Sequence, residues 1–444
     1  MTEKVNTRDL VVDILLAVTR DGEFSHIAIR NVLDKYRYLP KQDRAFITRV
    51  SQGTLERMTE IDYIINQFSK TKVNKMKPVI RSIIRSGVYQ LKYMDAVPDS
   101  AACNEAVKLA GKRGFSGLKG FVNGVLRNIS RNLNRVEYPD EQKNPAEALS
   151  VRYSMPQWLV ERFLKQYGQE RCIHILDAFL REKSTSIRVN TESISVEELQ
   201  ASLERQGIWV KKNSMLPYAL FITGYEALDE IPEFEEGLFY VQDTASMMVA
   251  ETASPKPGDF VLDVCAAPGG KSVHMAQLLA GTGMVEARDL TEYKAEMIRE
   301  NAERCRISNL RVKVWDALIF DESMEQQADV VIADLPCSGL GVIGTKTDIK
   351  YKISEEKIHS LCELQSRILD VVHRYVKPQG ILMYSTCTMT PEENDIQVSQ
   401  FLLRHPEYTL LSQRQLLPDE GCDGFLLQNY KKVKQEKNDG KDRD

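Results

Sequence analysis

From about residue 240 onward, short apolar runs alternate with helical segments. The runs FVLDVC, GMVEARDL, LRVKVWDA, DVVIADLPC and GILMYSTC are bounded by turn residues, as buried strands are. Helical periodicity fills AQLLA, TEYKAEMIRENAERC, EKIHSLCELQSRILDVVHRYV and PEENDIQVSQFLLRH. This alternation predicts an open, doubly wound parallel sheet, the α/β arrangement. Sheets of that kind bind ligands beyond the carboxyl ends of their strands. Two of the runs close on cysteine, Cys337 in DLPC and Cys387 in YSTC. Two thiols from two strands can therefore face one substrate.

The preceding chain has a different texture. Residues from about 7 to 135 read as all-helical, because RDLVVDILLAVTR and RAFITRVSQGTLERMTEIDYIINQFS carry apolar residues at three- and four-residue spacing. NRVEYPDEQKNPAEA reads as a linker. Residues 150–235 mix helices (PQWLVERFLKQYG, SVEELQASLERQG) with strand-like TSIRVN and YALFITG, which predicts a small α+β module. The expected chain is thus multidomain: an all-α segment 1–140, the module 150–235, an α/β domain 236–433 ending in the strand GFLLQNYKKV, and a charged tail 434–444 expected to be disordered.

Charge is distributed unevenly along this chain. Residues 1–140 hold 24 Lys and Arg against 15 Asp and Glu, a formal +9, whereas the remainder carries −13. A basic segment on an acidic body suggests polyanion binding. Its basic residues gather at Lys70, Lys72, Lys75, Lys77, Arg81 and Arg85, and again at Lys112, Arg113, Lys119, Arg127 and Arg131. The competing reading of each cluster is a solvated helical face. The eight cysteines show no C-x-x-C pair and the six histidines no close spacing, so neither a disulfide framework nor a metal site is expected. No secretory signal or membrane span is visible, which leads to a cytoplasmic expectation.

After FVLDVC comes the turn Ala266-Ala267-Pro268-Gly269-Gly270-Lys271-Ser272 and then a helix. Such a turn lets backbone approach a ligand beside the positive end of the helix. It matches neither the phosphate-binding loop nor the G-x-G-x-x-G fingerprint. Asp289 follows at the end of the next strand, where an acid can bind ribose hydroxyls, and Asp316 ends the third strand, within reach of an adenine amino group. Each acid could equally serve a turn or a helix cap. Together they favour an adenosine-bearing cofactor without a pyrophosphate, and S-adenosylmethionine fits.

Two thiols beside a methyl donor suggest one reaction. Carbon 5 of cytosine is a poor nucleophile until a thiolate adds to carbon 6. A second group must then help remove the carbon 5 proton so that the first thiol can leave. Cys387, Cys337 and Asp334 can fill the roles of thiol, acid/base partner and pyrimidine contact. A lone cysteine at a strand end is more often a small buried hydrophobe.

DVCAAPGGKS, DLPCSGLGVIGTKTDIKY, YSTCTMTPEEN and CDGFLLQNYKK, with YVQDTASMMVAE before the first strand, resemble RNA cytosine-C5 methyltransferases over roughly 150–433. The N-terminal part, ending in FVNGVLRNI, resembles the RNA-binding domain of the NusB antitermination factor. The combination is similar to bacterial enzymes that methylate one cytosine of 16S ribosomal RNA. The resemblance implies a Rossmann-like class I methyltransferase domain, a 16S rRNA partner and no DNA substrate. It implies Cys387 as nucleophile, Cys337 as the group assisting proton removal and product release, and Asp334 on the cytosine close to the methyl donor. It also implies that Cys265, Ala266, Ala267, Pro268, Gly269, Gly270 and Lys271 hold S-adenosylmethionine, with Asp289 on the ribose, Asp316 on the adenine and Lys271 reaching the catalytic centre. Cys265 itself reads as packing.

Four positions depart from the family pattern. Leu335 replaces an alanine, Gly344-Thr345 replaces basic residues, and Tyr351 stands where tryptophan is common. Lys346 and Lys350 remain as candidate phosphate contacts. Transfer RNA as substrate, and an RNA-binding assembly factor with an inactive methyltransferase body, are the alternative readings. A DNA-type enzyme would use the Pro-Cys thiol as nucleophile and would not need Cys387.

Overall fold

The computed structural model describes residues 5–181 and 184–433, so the tail 434–444 lies outside the described residues. The chain forms two compact units. One comprises the described residues through Arg181 together with Ile343–Lys352, and the other comprises the remainder.

The first unit is helical, as its periodicity requires. Its helices are α1 (Thr7–Thr19), α2 (Ser25–Lys35), α3 (Lys41–Glu56), α4 (Met58–Phe68), α5 (Pro78–Tyr93), α6 (Asp99–Lys112), α7 (Lys119–Asn132), α8 (Pro145–Arg152) and α9 (Gln157–Leu180). The Asn6 side chain caps α1 by accepting from Arg8 and Asp9 N–H. Pro78 opens α5 at a position where a missing N–H costs nothing. Ile80, Ile83, Ile84 and Val88 then form one buried stripe on α5, in a core shared with Val11, Ile14 and Leu15 of α1 and Leu126 and Ile129 of α7. Within α9 the helical path breaks at Gly168, whose φ is +74°.

This packing sorts the basic residues. Arg85 is buried in a bidentate pair with Asp62 (2.7 and 2.6 Å). Lys112 and Arg113 pair with Asp9, and Arg113 also with Asp13. Arg85 and Arg113 are thereby corrected from surface candidates to structural ones, whereas Lys112 stays exposed beside its Asp9 partner. Lys70, Lys72, Lys75, Lys77, Lys119 and Arg131 are exposed.

Residues 343–352 belong to the helical unit although they follow the Pro-Cys motif. Asp348 accepts from Ser25 Oγ at 2.5 Å, and Lys352 donates to Glu23 O at 2.6 Å. Tyr351 OH accepts from Thr59 Oγ1 and donates to Ser154 O, both at 3.4 Å. Lys350 is only 2% exposed and donates to Glu56 O at 2.8 Å. Burial lowers its pKa to about 7. Lys350 is therefore a packing residue and not a phosphate contact, whereas Lys346 is exposed.

The second unit carries two sheets. The smaller contains β1 (Thr185–Val189), β2 (Trp209–Lys212), β3 (Ala219–Thr223) and β4 (Phe239–Val241) in the order β2-β3-β1-β4, all antiparallel. Helix α10 (Val196–Arg205), opened by a Ser195/Glu198 capping box, packs Leu199 and Leu203 against Ile187 and Ile222. The short α11 (Pro232–Glu235) precedes β4. The α+β character expected for this region is present, and its sheet begins at Thr185.

After α12 (Thr244–Ala253) come β5 (Phe260–Asp263), α13 (Gly270–Leu278), β6 (Met284–Asp289), α14 (Glu292–Arg304), β7 (Leu310–Val314) and β8 (Ala328–Asp334). Past α15 (Ile349–Lys352, in the helical unit) follow α16 (Glu355–Val372), β9 (Val376–Thr386), a π-helical turn at Glu392–Ile396, α17 (Gln397–Arg404), β10 (Tyr408–Leu416) and β11 (Phe425–Lys432). The seven strands are ordered β10-β11-β9-β8-β5-β6-β7. The chain winds outward from β5 through β6 to β7, then returns to β8 on the other side. The switch point between β5 and β8 is where ligands of such sheets bind.

The sheet is mixed rather than parallel throughout. β11 runs antiparallel to both β9 and β10. β10 escaped the sequence reading because SQRQ interrupts its apolar pattern, as an edge strand allows. The amino end of β11 follows a close backbone crossing: Gly341 N–H donates to Cys387 O (3.0 Å) and Gly424 N–H to Gly341 O (2.9 Å). A Cβ on Gly341 would lie 1.8 Å from Gly424 O. Gly341→Ala is expected to lower stability by about 1–3 kcal/mol and to reduce activity through displacement of Cys387. Gly124→Ala, at an open helical position, is expected to be neutral or stabilising by up to about 1 kcal/mol. Thermal unfolding of both variants checks the contrast.

Candidate active site

β8 and β9 are parallel neighbours with Asp334 opposite Ser385. Ser385 Oγ donates to Asp334 Oδ1 at 2.8 Å, and Leu335 N–H donates to Ser385 O at 3.2 Å. Leu335 is buried in the apolar core, so the larger side chain at this family-alanine position serves packing. Cys337 and Cys387 lie just beyond the two strand ends, and their Sγ atoms are 3.0 Å apart. Cys387 N–H also points at Cys337 Sγ, at 3.2 Å. The contact with Cys387, then burial, then the charges of Glu393 and Asp334 push the Cys337 thiol well above its ordinary pKa.

The glycine loop after β5 lies on the same side of the sheet. Ala266 N–H donates to Arg288 O, and Ala267 N–H to Asp289 Oδ2, both at 2.9 Å. Gly269 has φ +105°, and a Cβ on Gly270 would press to 3.0 Å from the Tyr240 ring. From the first turn of α13, Lys271 reaches Asp334, with Nζ 2.6 Å from Oδ2. Burial opposes the Lys271 charge, but Asp334 and Asp263 outweigh it and raise its pKa, with a further contribution from Cys387. Cys265 packs against the core, and burial pushes its thiol up.

These residues fit S-adenosylmethionine. Asp263 is 1% exposed; one carboxylate oxygen accepts from Ser272 Oγ at 2.6 Å, and the other has no partner. An orphaned buried oxygen calls for a donor, and an ammonium group supplies one. Asp289 is buried, holds the loop through Ala267 and pairs with Lys294 at 2.9 Å. Asp316 lies two residues beyond β7 and accepts from Leu318 N–H at 2.9 Å. The turns after these acids expose Leu290 (58%) and Ile319 (57%), apolar surface suited to a nucleobase.

The sequence profile of the 16S rRNA methyltransferase RsmB/F family matches residues 250–424. The NusB family matches residues 5–131, and the ferredoxin-like domain of RsmF/B-like methyltransferases matches 155–228. A Bacillus subtilis (strain 168) protein, probable ribosomal RNA small subunit methyltransferase B, is 34% identical over 97% of this chain and 99% of its own. The chain belongs to the RsmB/F family. The Vibrio cholerae ribosomal RNA small subunit methyltransferase B is 33% identical over 86% of this chain and 88% of its own. A methyltransferase homologue from Pyrococcus horikoshii superposes with TM-score 0.58 at 29% identity, covering 65% of this chain and 99% of its own. This RsmB/F member is an S-adenosylmethionine-dependent RNA cytosine-C5 methyltransferase, with a NusB domain, a ferredoxin-like domain and a Rossmann-like catalytic sheet.

Sequence reading of this RsmB/F chain missed several residues that the fold brings to the thiols. Ser385 and Asp263 were hidden inside strand runs. Glu393 and Gln365 sat in helical patterns that looked merely amphipathic, although YSTCTMTPEEN already placed Glu393 six residues after Cys387. Folding also gathers His373, His405 and Glu407 with donor atoms within 4.8 Å, despite their sequence spacing. Burial first, then the charges of His405 and Lys432, lower the His373 pKa to about 3.

Asp263 makes stability depend on pH. Burial raises its folded pKa to about 7 from 3.8, so the folded state holds a proton that the unfolded chain releases. The associated stabilisation is complete below about pH 4 and is lost as pH rises to about 7, amounting to about 4 kcal/mol. Ligand-free protein is therefore expected to lose melting temperature relative to Asp263→Asn between pH 5 and pH 8. A constant difference across that range would exclude the effect.

Proposed function

We propose that this methyltransferase modifies carbon 5 of a specific cytosine in 16S ribosomal RNA through a covalent adduct on Cys387. The observation that carries the mechanism is the 3.0 Å approach of two thiols beyond adjacent strand ends. Cys387 adds to carbon 6 of the cytosine and turns carbon 5 into an enamine-like nucleophile. S-adenosylmethionine, held by Ala266–Lys271 with Asp289 and Asp316, supplies a methyl group on a sulfonium. Lys271 stands beside Cys387 and fixes Asp334, whose carboxylate is placed for the amino edge of the base. The Cys337 sulfur, as thiolate, accepts the carbon 5 proton; the electron pair of that bond re-forms the carbon 5–carbon 6 double bond, and the carbon 6–sulfur bond breaks to regenerate the Cys387 thiolate.

Cys387→Ala is expected to abolish methyl transfer, and Cys337→Ala to accumulate an RNA–protein adduct resistant to denaturing gel electrophoresis. An adduct that depends on Cys337 instead would reverse the two roles, and full activity of the double variant would end the mechanism. The 16S assignment is supported by the names of the relatives and by the NusB domain. Bisulfite mapping of 16S and transfer RNA from cells with and without the protein tests it: a lost mark in 16S is expected, and a mark lost only from transfer RNA would replace it.

The exposed basic residues of the helical unit supply the phosphate contacts in this reading. Replacing Lys70, Lys72 and Lys75 together with Gln is expected to weaken rRNA binding. The slope of log K against log salt should shrink by roughly 0.7–0.9 for each phosphate that is no longer neutralised. An unchanged slope would place the RNA elsewhere.

A further inference from the structure

Glu393 is 0% exposed and sits in the π-helical turn after the Thr-Cys motif. Four donors converge on its carboxylate. Oε1 accepts from Ser338 N–H (2.8 Å) and Gln365 Nε2 (3.1 Å), while Oε2 accepts from Ser338 Oγ (2.5 Å) and Thr390 Oγ1 (2.7 Å). No Lys or Arg takes part. A buried carboxylate without a counter-cation is costly unless hydrogen bonds saturate it, and here they do. A neutral glutamine could not accept from all four donors, because its amide nitrogen only donates.

The donors are the neighbours of the two thiols. Ser338 follows Cys337. Gln365 also donates to Pro336 O, the residue before Cys337, at 2.9 Å. Ser338 Oγ spends its proton on Glu393, so the 2.6 Å contact with Thr388 Oγ1 has Thr388 as donor. Thr388 follows Cys387. One carboxylate thus holds the Pro-Cys turn on both sides of its cysteine; it reaches Thr388, the residue after Cys387, through the Ser338 hydroxyl, and bonds directly only to Thr390, three residues past Cys387. π-helical turns often mark such functional positions.

We propose that Glu393 is a positioning residue that holds Cys337 against Cys387 for the product-release half of the reaction. This rests on the two-thiol mechanism above. Its grip on the Cys337 turn is direct and its link to the neighbour of Cys387 is indirect, so its loss impairs release more than attack.

The test uses full-length protein, 16S rRNA transcript and S-adenosylmethionine, and compares wild type, Glu393→Gln, Ser338→Ala, Cys337→Ala and Cys387→Ala. Glu393→Gln is expected to lower kcat by about 100-fold, the cost of displacing a reacting group by roughly an ångström, with KM for RNA nearly unchanged. It should accumulate the covalent adduct to a level between wild type and Cys337→Ala. A merely structural role would lower adduct and turnover in parallel, and that result overturns the proposal. Wild-type turnover without adduct overturns it as well. If Glu393→Gln does not fold, Ser338→Ala decides: it retains the backbone donor but lacks the hydroxyl bridge, and it should show the same adduct accumulation more weakly. Normal kinetics in Ser338→Ala would then refute the role. Absence of adduct in Cys337→Ala would instead count against the two-thiol mechanism itself.

Discussion

The reactive centre depends on one pairing, Asp334 of β8 opposite Ser385 of β9. Parallel pairing fixes how far each strand extends, and so fixes where the chain is released to form each cysteine turn. The polar site does not set this register. β8 is the central strand of seven, and Val330, Val331, Ile332 and Ala333 are at most 2% exposed. A one-residue slip would turn every side chain to the opposite face, so the cost of misregister falls on the core. Lys271, Asp334 and the two thiols inherit an alignment that apolar packing maintains.

Charge around that alignment is concentrated and poorly screened. Asp263, Lys271 and Asp334 form a run of alternating sign on the cofactor side, while Glu393 stands on the far side of Cys337. Buried charges are tolerated when paired or saturated with hydrogen bonds, and three of the four meet that condition through neighbours. Asp263 meets it only in part, since one oxygen has no partner. The incompletely satisfied group ends β5, just before the loop assigned to the methyl donor.

Much of this was legible in the residues. The catalytic strands, the glycine loop and both strand-end cysteines follow from apolar runs and turn residues, because buried parallel strands leave an unambiguous pattern. The antiparallel β10 left almost none, since an edge strand carries polar residues on both faces. Glu393 and Gln365 were illegible for another reason. A buried polar residue on a helix has the same spacing as a solvated one, and only the tertiary partners distinguish them. Lys350 shows the converse, because a lysine in a polar loop reads as surface until Glu56 O is seen to accept its hydrogen bond.

The segment Ile343–Lys352 gives the chain an unusual order of completion. Most of the helical unit precedes the catalytic sheet in the chain, yet one of its pieces is encoded far downstream, just past Cys337. Closing so long a loop carries an entropic cost that local contacts do not offset early. During synthesis the helices can collapse, but the partners of Asp348, Lys350 and Tyr351 wait until most of the catalytic sheet has been translated. A fragment ending before residue 343 would be a helical domain missing its last piece, and a fragment beginning after residue 181 would carry that piece with nothing to fold against. The helical unit therefore completes its fold only after residues 343–352 have been made.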